Sequence, residues 1–210
     1  MPFGRRSSSE ARSTLRGGSS SVAAALALVF AGCGSLSDGG PSSTTPAPRT
    51  EDHIRERQSE VLRRVRDATA AGTPAAAIFV GDSITARWER DGAPFWRVVE
   101  EIAGGPVLNL GVSGDRTEHV LWRLAEAPIG PLDPRVVVVL IGTNNLGHGT
   151  STAAETLAGV RAVVDAIEAQ CPRATIVVLG ILPSGVDFNQ VRGDAAQINQ
   201  ALAALDLDAA

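Results

Sequence analysis

Ala76-Ala77-Ile78-Phe79-Val80-Gly81-Asp82-Ser83-Ile84-Thr85 reads as a strand, a turn and the start of a helix. Ala76 to Val80 is a short apolar run of the kind that forms a strand buried on both faces. The run breaks at Gly81-Asp82-Ser83, and Ile84 to Arg90 has helical character. A serine at such a junction lies at the carboxyl edge of a sheet, where open α/β sheets bind ligands. It also lies at a helix N-terminus, whose free N–H groups favour developing negative charge. Two roles fit Ser83 at this point: a nucleophile, or a plain helix cap with Gly81 making the turn.

Working outward, the same alternation recurs. Before the stretch, Ile54, Val61, Leu62, Val65 and Ala68 share one helical face, Glu60 and Arg64 pair on the other, and Gly72-Thr73-Pro74 ends the helix. After it come a helical segment at Phe95 to Ile102 and a strand at Pro106 to Leu110. Asp115 and Glu118 are spaced as a capping box for a helix carrying Val120, Leu121 and Leu124. Arg135 to Ile141 (RVVVVLI) is the plainest buried parallel strand, running into Gly142-Thr143-Asn144-Asn145. Thr152 and Glu155 cap a helix that Pro172 stops; Thr175 to Leu182 is a fourth strand and Val191 to Leu205 a last helix. This spacing predicts an α/β fold: a doubly wound, flavodoxin-like parallel sheet with helices on both faces.

The chain has 210 residues, 44% of them apolar, and a net charge of −4, enough for one ordinary domain and without the basic footprint of a nucleic-acid binder. Cys33 and Cys171 are its two cysteines, and no cysteine or histidine cluster has metal-ligand spacing. Residues 1–33 read as a lipoprotein signal peptide. Arginines 5, 6, 12 and 16 precede the ten-residue apolar run Val22 to Ala31, and Phe30-Ala31-Gly32-Cys33 resembles a lipobox with Cys33 as the lipidated residue. The expectation is an exported, lipid-anchored protein of a bacterial cell envelope, on the outer membrane in a diderm host. Residues 34–50, rich in Ser, Pro, Gly and Thr, read as a disordered tether. The domain is then 51–210, and Cys171, before Pro172 at a helix end, is expected to be a small buried residue.

The chemistry gathers at three strand ends: Gly81 to Ser83, Gly111 to Asp115, and Gly142 to Asn145. All three loops leave the carboxyl edge, so the fold brings them together. Ester hydrolysis needs a nucleophile and donors aimed at the oxyanion. Ser83 offers a hydroxyl and its own N–H, Gly114 an unobstructed backbone N–H, and Asn144 a side-chain amide. Turn glycines and an Asx-turn asparagine account for each loop singly, and much less well for all three together.

Gly81-Asp82-Ser83, Asn109-x-Gly111-x-x-Gly114-Asp115 and Gly142-Thr143-Asn144-Asn145 resemble three motif blocks of the SGNH (GDSL-type) hydrolases. Asp115 to Leu124 (DRTEHVLWRL) and Gly180 to Gly185 (GILPSG) resemble the branch that holds the catalytic subunits of intracellular platelet-activating-factor acetylhydrolase. The resemblance spans about residues 60 to 206. It implies a serine esterase with Ser83 as nucleophile, Gly114 and Asn144 as oxyanion donors, and Asp82 and Asn145 supporting those loops. It implies no metal or cofactor, and a small acyl-ester substrate such as an acetylated sugar or short-chain lipid ester.

One block of that family has no counterpart here. An Asp-x-x-His loop supplies the family's base, whereas this chain carries only His53, His119 and His148, and its Asp206 and Asp208 have no histidine after them. Of the three, His148 lies nearest the Asn144 loop. Thr175 to Leu182, apolar on both faces, is patterned as an interior strand needing a fifth neighbour in the order 2-1-3-4-5. Together these predict a C-terminally incomplete and impaired hydrolase. The alternative is a non-catalytic carbohydrate- or lipid-binding lipoprotein on the same fold.

Overall fold

The computed structural model describes residues 42–185 and 187–204. The signal peptide, Cys33, the first part of the tether, Asp206 and Asp208 lie outside the described residues.

The first helix, α1 (Asp52–Ala71), turns Ile54, Val61, Leu62 and Val65 inward and ends at Gly72, whose φ of 64° stops it. Glu60 and Arg64 pair at 2.6 Å, as their spacing predicts. β1 (Ala77–Gly81) follows, with Ile78 and Val80 out of contact with solvent, and leads into α2 (Ser83–Arg87), three residues shorter than the helical character suggests. Next come α3 (Ala93–Ala103), β2 (Val107–Gly111), α4 (Thr117–Glu126), β3 (Val136–Leu140) and α5 (Thr143–Gly147). The described chain closes with α6 (Ala153–Gln170), β4 (Thr175–Val178) and α7 (Gln190–Ala203).

The four strands are parallel, in the order β2-β1-β3-β4. This is the doubly wound arrangement that the alternating pattern predicts. Val137 and Val139 of β3 are fully buried and pack with Ile78, Val80, Leu110 and Ile167 in the main core. Burying each such side chain contributes about 1.5–3 kcal/mol, which is why the β-branched runs become central strands. Cys171 is buried as expected, and burial pushes its thiol up to about 11.

Three expectations need correction. Asp115 and Glu118 do not cap α4. Its N-cap is Arg116, whose N–H donates to His119 Nδ1 at 2.9 Å, because buried Arg123 has taken the Asp115 carboxylate. By contrast, Thr152 and Glu155 form the box at α6. The fourth strand stops at Val178 rather than Leu182, because Asn199 of α7 captures the Ile181 backbone, accepting from its N–H at 2.7 Å and donating to its C=O at 2.9 Å. That strand pairs only with β3 among the described residues and leaves Val177, Leu179 and Leu182 exposed, the uncovered apolar edge that its two-sided pattern makes of a fourth strand without a neighbour. Residues 42–50, assigned by composition to a disordered tether, pack against the domain: Ser43 is 4% exposed and bonded to Thr117 and Ser151.

Candidate active site

The strand register puts the three loops level. Gly81 at the end of β1 pairs with Gly111 on one side and Leu140 on the other. Gly111 has no room for a side chain, since a Cβ there would lie 2.9 Å from both Ala86 Cα and Asp82 O. The α2 backbone thus rests directly on the end of β2. Asn109 locks this contact, donating to Thr85 O at 2.7 Å and accepting from Gly111 N–H at 2.9 Å.

Ser83 is the first residue of α2 and is half-buried. The cap is Asp82, whose Oδ1 accepts from Ile84 N–H at 2.9 Å. The alternative role for Ser83 as helix cap is therefore taken by its neighbour. No hydrogen bond engages the Ser83 hydroxyl among the described residues, which leaves it available to a ligand. Gly114 sits in the next loop with a φ of 75°, a backbone that favours glycine.

Asn144 binds both of these loops. Its Nδ2 donates to Asp115 O at 2.8 Å and reaches Asp82 Oδ2 at 3.3 Å. Both amide hydrogens are thus occupied, the second by the longer contact, and donation to an oxyanion requires that one to swing away from Asp82. Asn145 is fully buried, accepting from Thr117 N–H at 3.1 Å and donating to Thr117 Oγ1 and Glu118 Oε2, each at 3.2 Å. The supporting positions thus bridge the loops after β1, β2 and β3.

Arg123, Asn109 and Glu118 complete the framework; the sequence motifs include all three, but nothing in them marked these residues as part of the site. Arg123 on α4, 5% exposed, grips Asp115 Oδ2 through Nε and Nη2 at 2.9 and 2.8 Å. Its Nη1 donates to Leu110 O at 2.8 Å. Its spacing eight residues after Asp115 was a usable signal, since the two side chains can meet across the start of a helix. Of the histidines, His119 has Nδ1 occupied by Arg116 N–H, and burial depresses it to about 4. His148 is exposed just past α5, and His53 is exposed on α1. Neither bonds to Ser83.

Burial, and to a lesser degree the neighbouring Asp115 charge, pushes Asp82 up to about 6, against the Ile84 N–H that favours its ionised form. An acid whose folded pKa exceeds its unfolded one stabilises the fold when protonated, and that contribution is lost as pH rises from about 4 through about 6. Asp82→Asn keeps the cap acceptor without the charge. Its stability relative to wild type should grow by roughly 2 kcal/mol between pH 4 and pH 7. Urea titrations at those two pH values check this, and a difference that stays flat would show Asp82 to be ordinary.

Comparison with known proteins bears on this arrangement. The model of the GDSL-like Lipase/Acylhydrolase family matches residues 79–209. The human platelet-activating factor acetylhydrolase IB subunit alpha1 is 38% identical over 123 residues, 59% of this chain and 50% of that one. The rat alpha2 subunit is 41% identical over 125 residues, 60% and 52% of the two chains. This chain therefore spans about half the length of the curated relatives it matches. A solved Bacteroides fragilis structure carrying an acylhydrolase assignment superposes with a TM-score of 0.54 at 21% identity, covering 68% of this chain and 69% of that one. At that identity the superposition shows the shared fold.

Proposed function

The chain belongs to the GDSL-like lipase/acylhydrolase family, and on that premise we propose that it cleaves a small acyl ester through an acyl-enzyme at Ser83. The observation that carries this is the level arrangement of Ser83, Gly114 and Asn144 at the ends of three adjacent parallel strands. Ser83 Oγ attacks the ester carbonyl carbon while its proton passes to a base. The oxyanion that forms accepts from the N–H groups of Ser83 and Gly114 and from Asn144 Nδ2. The alcohol leaves, and water then adds to the acyl-serine, releasing the acid and freeing Ser83. The base is the part that no histidine bonded to Ser83 supplies among the described residues, so residues 51–210 alone should turn over slowly.

The substrate class follows from chemistry and from kinship. Relatives named as acetylhydrolases favour a short acyl group. A groove of about 380 Å³ lies beside the helix that Ser83 begins, lined by Ile84, Trp88 and Phe95 together with Arg87, Asp91 and Gly92. It suits the apolar part of an acetylated sugar or a short-chain lipid ester. The lipobox-like Phe30-Ala31-Gly32-Cys33 supports a location at a bacterial envelope membrane, with lipid on Cys33. The unbonded Ser83 hydroxyl also fits the second reading, a domain that binds such molecules without cleaving them.

A fluorophosphonate probe separates the two, because it adds covalently only to an activated serine. In whatever length of the protein hydrolyses p-nitrophenyl acetate, the label should map to the peptide carrying Ser83. Turnover with the label on another residue would defeat the assignment. Ester binding with neither label nor turnover would support the binding domain instead.

A further inference from the structure

The ten residues that lead into α1 approach the candidate site closely. Ser43 O accepts from Thr117 Oγ1 at 2.8 Å, and Ser43 Oγ lies 2.7 Å from Ser151 Oγ. Gly159 of α6 leaves the space: a Cβ there would lie 2.8 Å from Ser43 O and 2.9 Å from Ser43 Cβ. Further along, Ala47 N–H donates to Glu118 O at 3.1 Å. Pro46 and Pro48 flank that bond, and proline holds a chain extended at low entropic cost. This segment therefore crosses the start of α4 with fixed partners.

Arg49 then reaches the loop after β2. Its side chain is 10% exposed. Nε and Nη2 fork onto Glu51 at 2.8 and 2.9 Å, and Glu51 is the residue from which α1 starts. Nη1 donates to Ser113 O at 3.4 Å and lies 3.7 Å from Asp115 Oδ1, a buried oxygen without a hydrogen-bond partner. The same Nη1 would lie 2.9 Å from a Cβ at Gly114. The guanidinium thus packs against the side of Gly114 where a side chain would stand, and is held on its far side by Glu51, the N-cap of α1.

We infer that residues 42–51 are a strap belonging to the active site, in which Arg49 is a positioning residue holding the Gly114 loop. An oxyanion donor is effective only when preorganised, and Gly114, with no side chain to wedge it, depends on neighbours for that. Arg49 ties the carbonyl immediately before Gly114 and faces the carboxylate immediately after it. Asp115 has Arg123 on its other oxygen, so the loop is clamped between one cation from α4 and one from the strap.

The kinetic half of the test rests on the esterase reading; the exchange half does not. Backbone hydrogen exchange is measured on the full chain and on its Arg49→Ala and Arg49→Lys variants. In Arg49→Ala, exchange across residues 112–118 should accelerate about tenfold while β3 is unchanged, because only a local clamp is lost. With p-nitrophenyl acetate, kcat should fall by about tenfold with KM unaltered, since small misplacements near reacting atoms act on the transition state. Arg49→Lys keeps a cation beside Ser113 O and Asp115 and should recover most of both losses. Unchanged exchange at 112–118, acceleration shared equally by β3, or an unaltered kcat in an active protein overturns the inference. If wild type and variants alike show no turnover, as expected of a chain without a base bonded to Ser83, the exchange result alone decides the clamp.

Discussion

Ser83→Ala is expected to lower kcat for p-nitrophenyl acetate by up to about 10⁶-fold in a length of the protein that turns it over, the scale on which serine hydrolases lose activity with their nucleophile. What remains is the contribution of binding and oxyanion stabilisation, roughly 10³–10⁴-fold over water in such enzymes. The fold should not suffer, because Asp82 and not Ser83 accepts the Ile84 N–H that caps α2. Equal unfolding midpoints with collapsed activity are the signature to look for. Asn144→Ala provides the graded control. Losing one oxyanion donor should reduce kcat by about 10²–10³-fold, and would also free the Asp115 carbonyl and Asp82 carboxylate it now engages. If Ser83→Ala keeps wild-type turnover, the hydrolysis occurs elsewhere and the acyl-enzyme proposal falls.

Arg123→Met should cost about 3–5 kcal/mol of stability, since it strands the buried Asp115 carboxylate. Three acceptors lose a donor at once: Asp115 Oδ2, Leu110 O and, at 3.5 Å, Gly81 O. The last two are backbone oxygens at or beside the ends of β2 and β1, so the damage lies under the site. An exposed pair offers the contrast. Arg63 and Asp67 meet at 2.9 Å on α1 with side chains 67% and 64% exposed, and Arg63→Ala should change stability by less than about 0.5 kcal/mol. Adding Asp115→Asn to Arg123→Met should restore part of the loss, because the uncompensated charge is gone. Urea denaturation of the three variants and wild type measures all of this; near-equal effects of Arg123→Met and Arg63→Ala would refute the view of Arg123 as the buried tie.

The parallel sheet was legible because its cause is local. Val136 to Leu140 is apolar at every position, which only a strand covered on both faces tolerates, and helices of matching length stand between such runs. The positions of Ser83, Gly114 and Asn144 followed from topology alone, since parallel strands all deliver their carboxyl ends to one edge. The sequence by itself therefore determined the fold class, the strand order and the loops that meet.

Contacts distant in sequence were decided by the tertiary structure. Whether Asp115 caps α4 or pairs with Arg123 depends on which partner lies within reach once α4 is packed, and the arginine is the stronger because charge in a buried site must be matched. Composition marks residues 42–50 as tether, yet Ser43 and Arg49 find partners on α4, α5's following loop and the loop after β2, and those partners exist only in the folded domain. Asn144 shows the same division at one residue. Its placement beside the other loops could be read from the chain, but which of its hydrogens is held by Asp115 and which by Asp82 is set by distances of 2.8 and 3.3 Å that no pattern of residue types encodes.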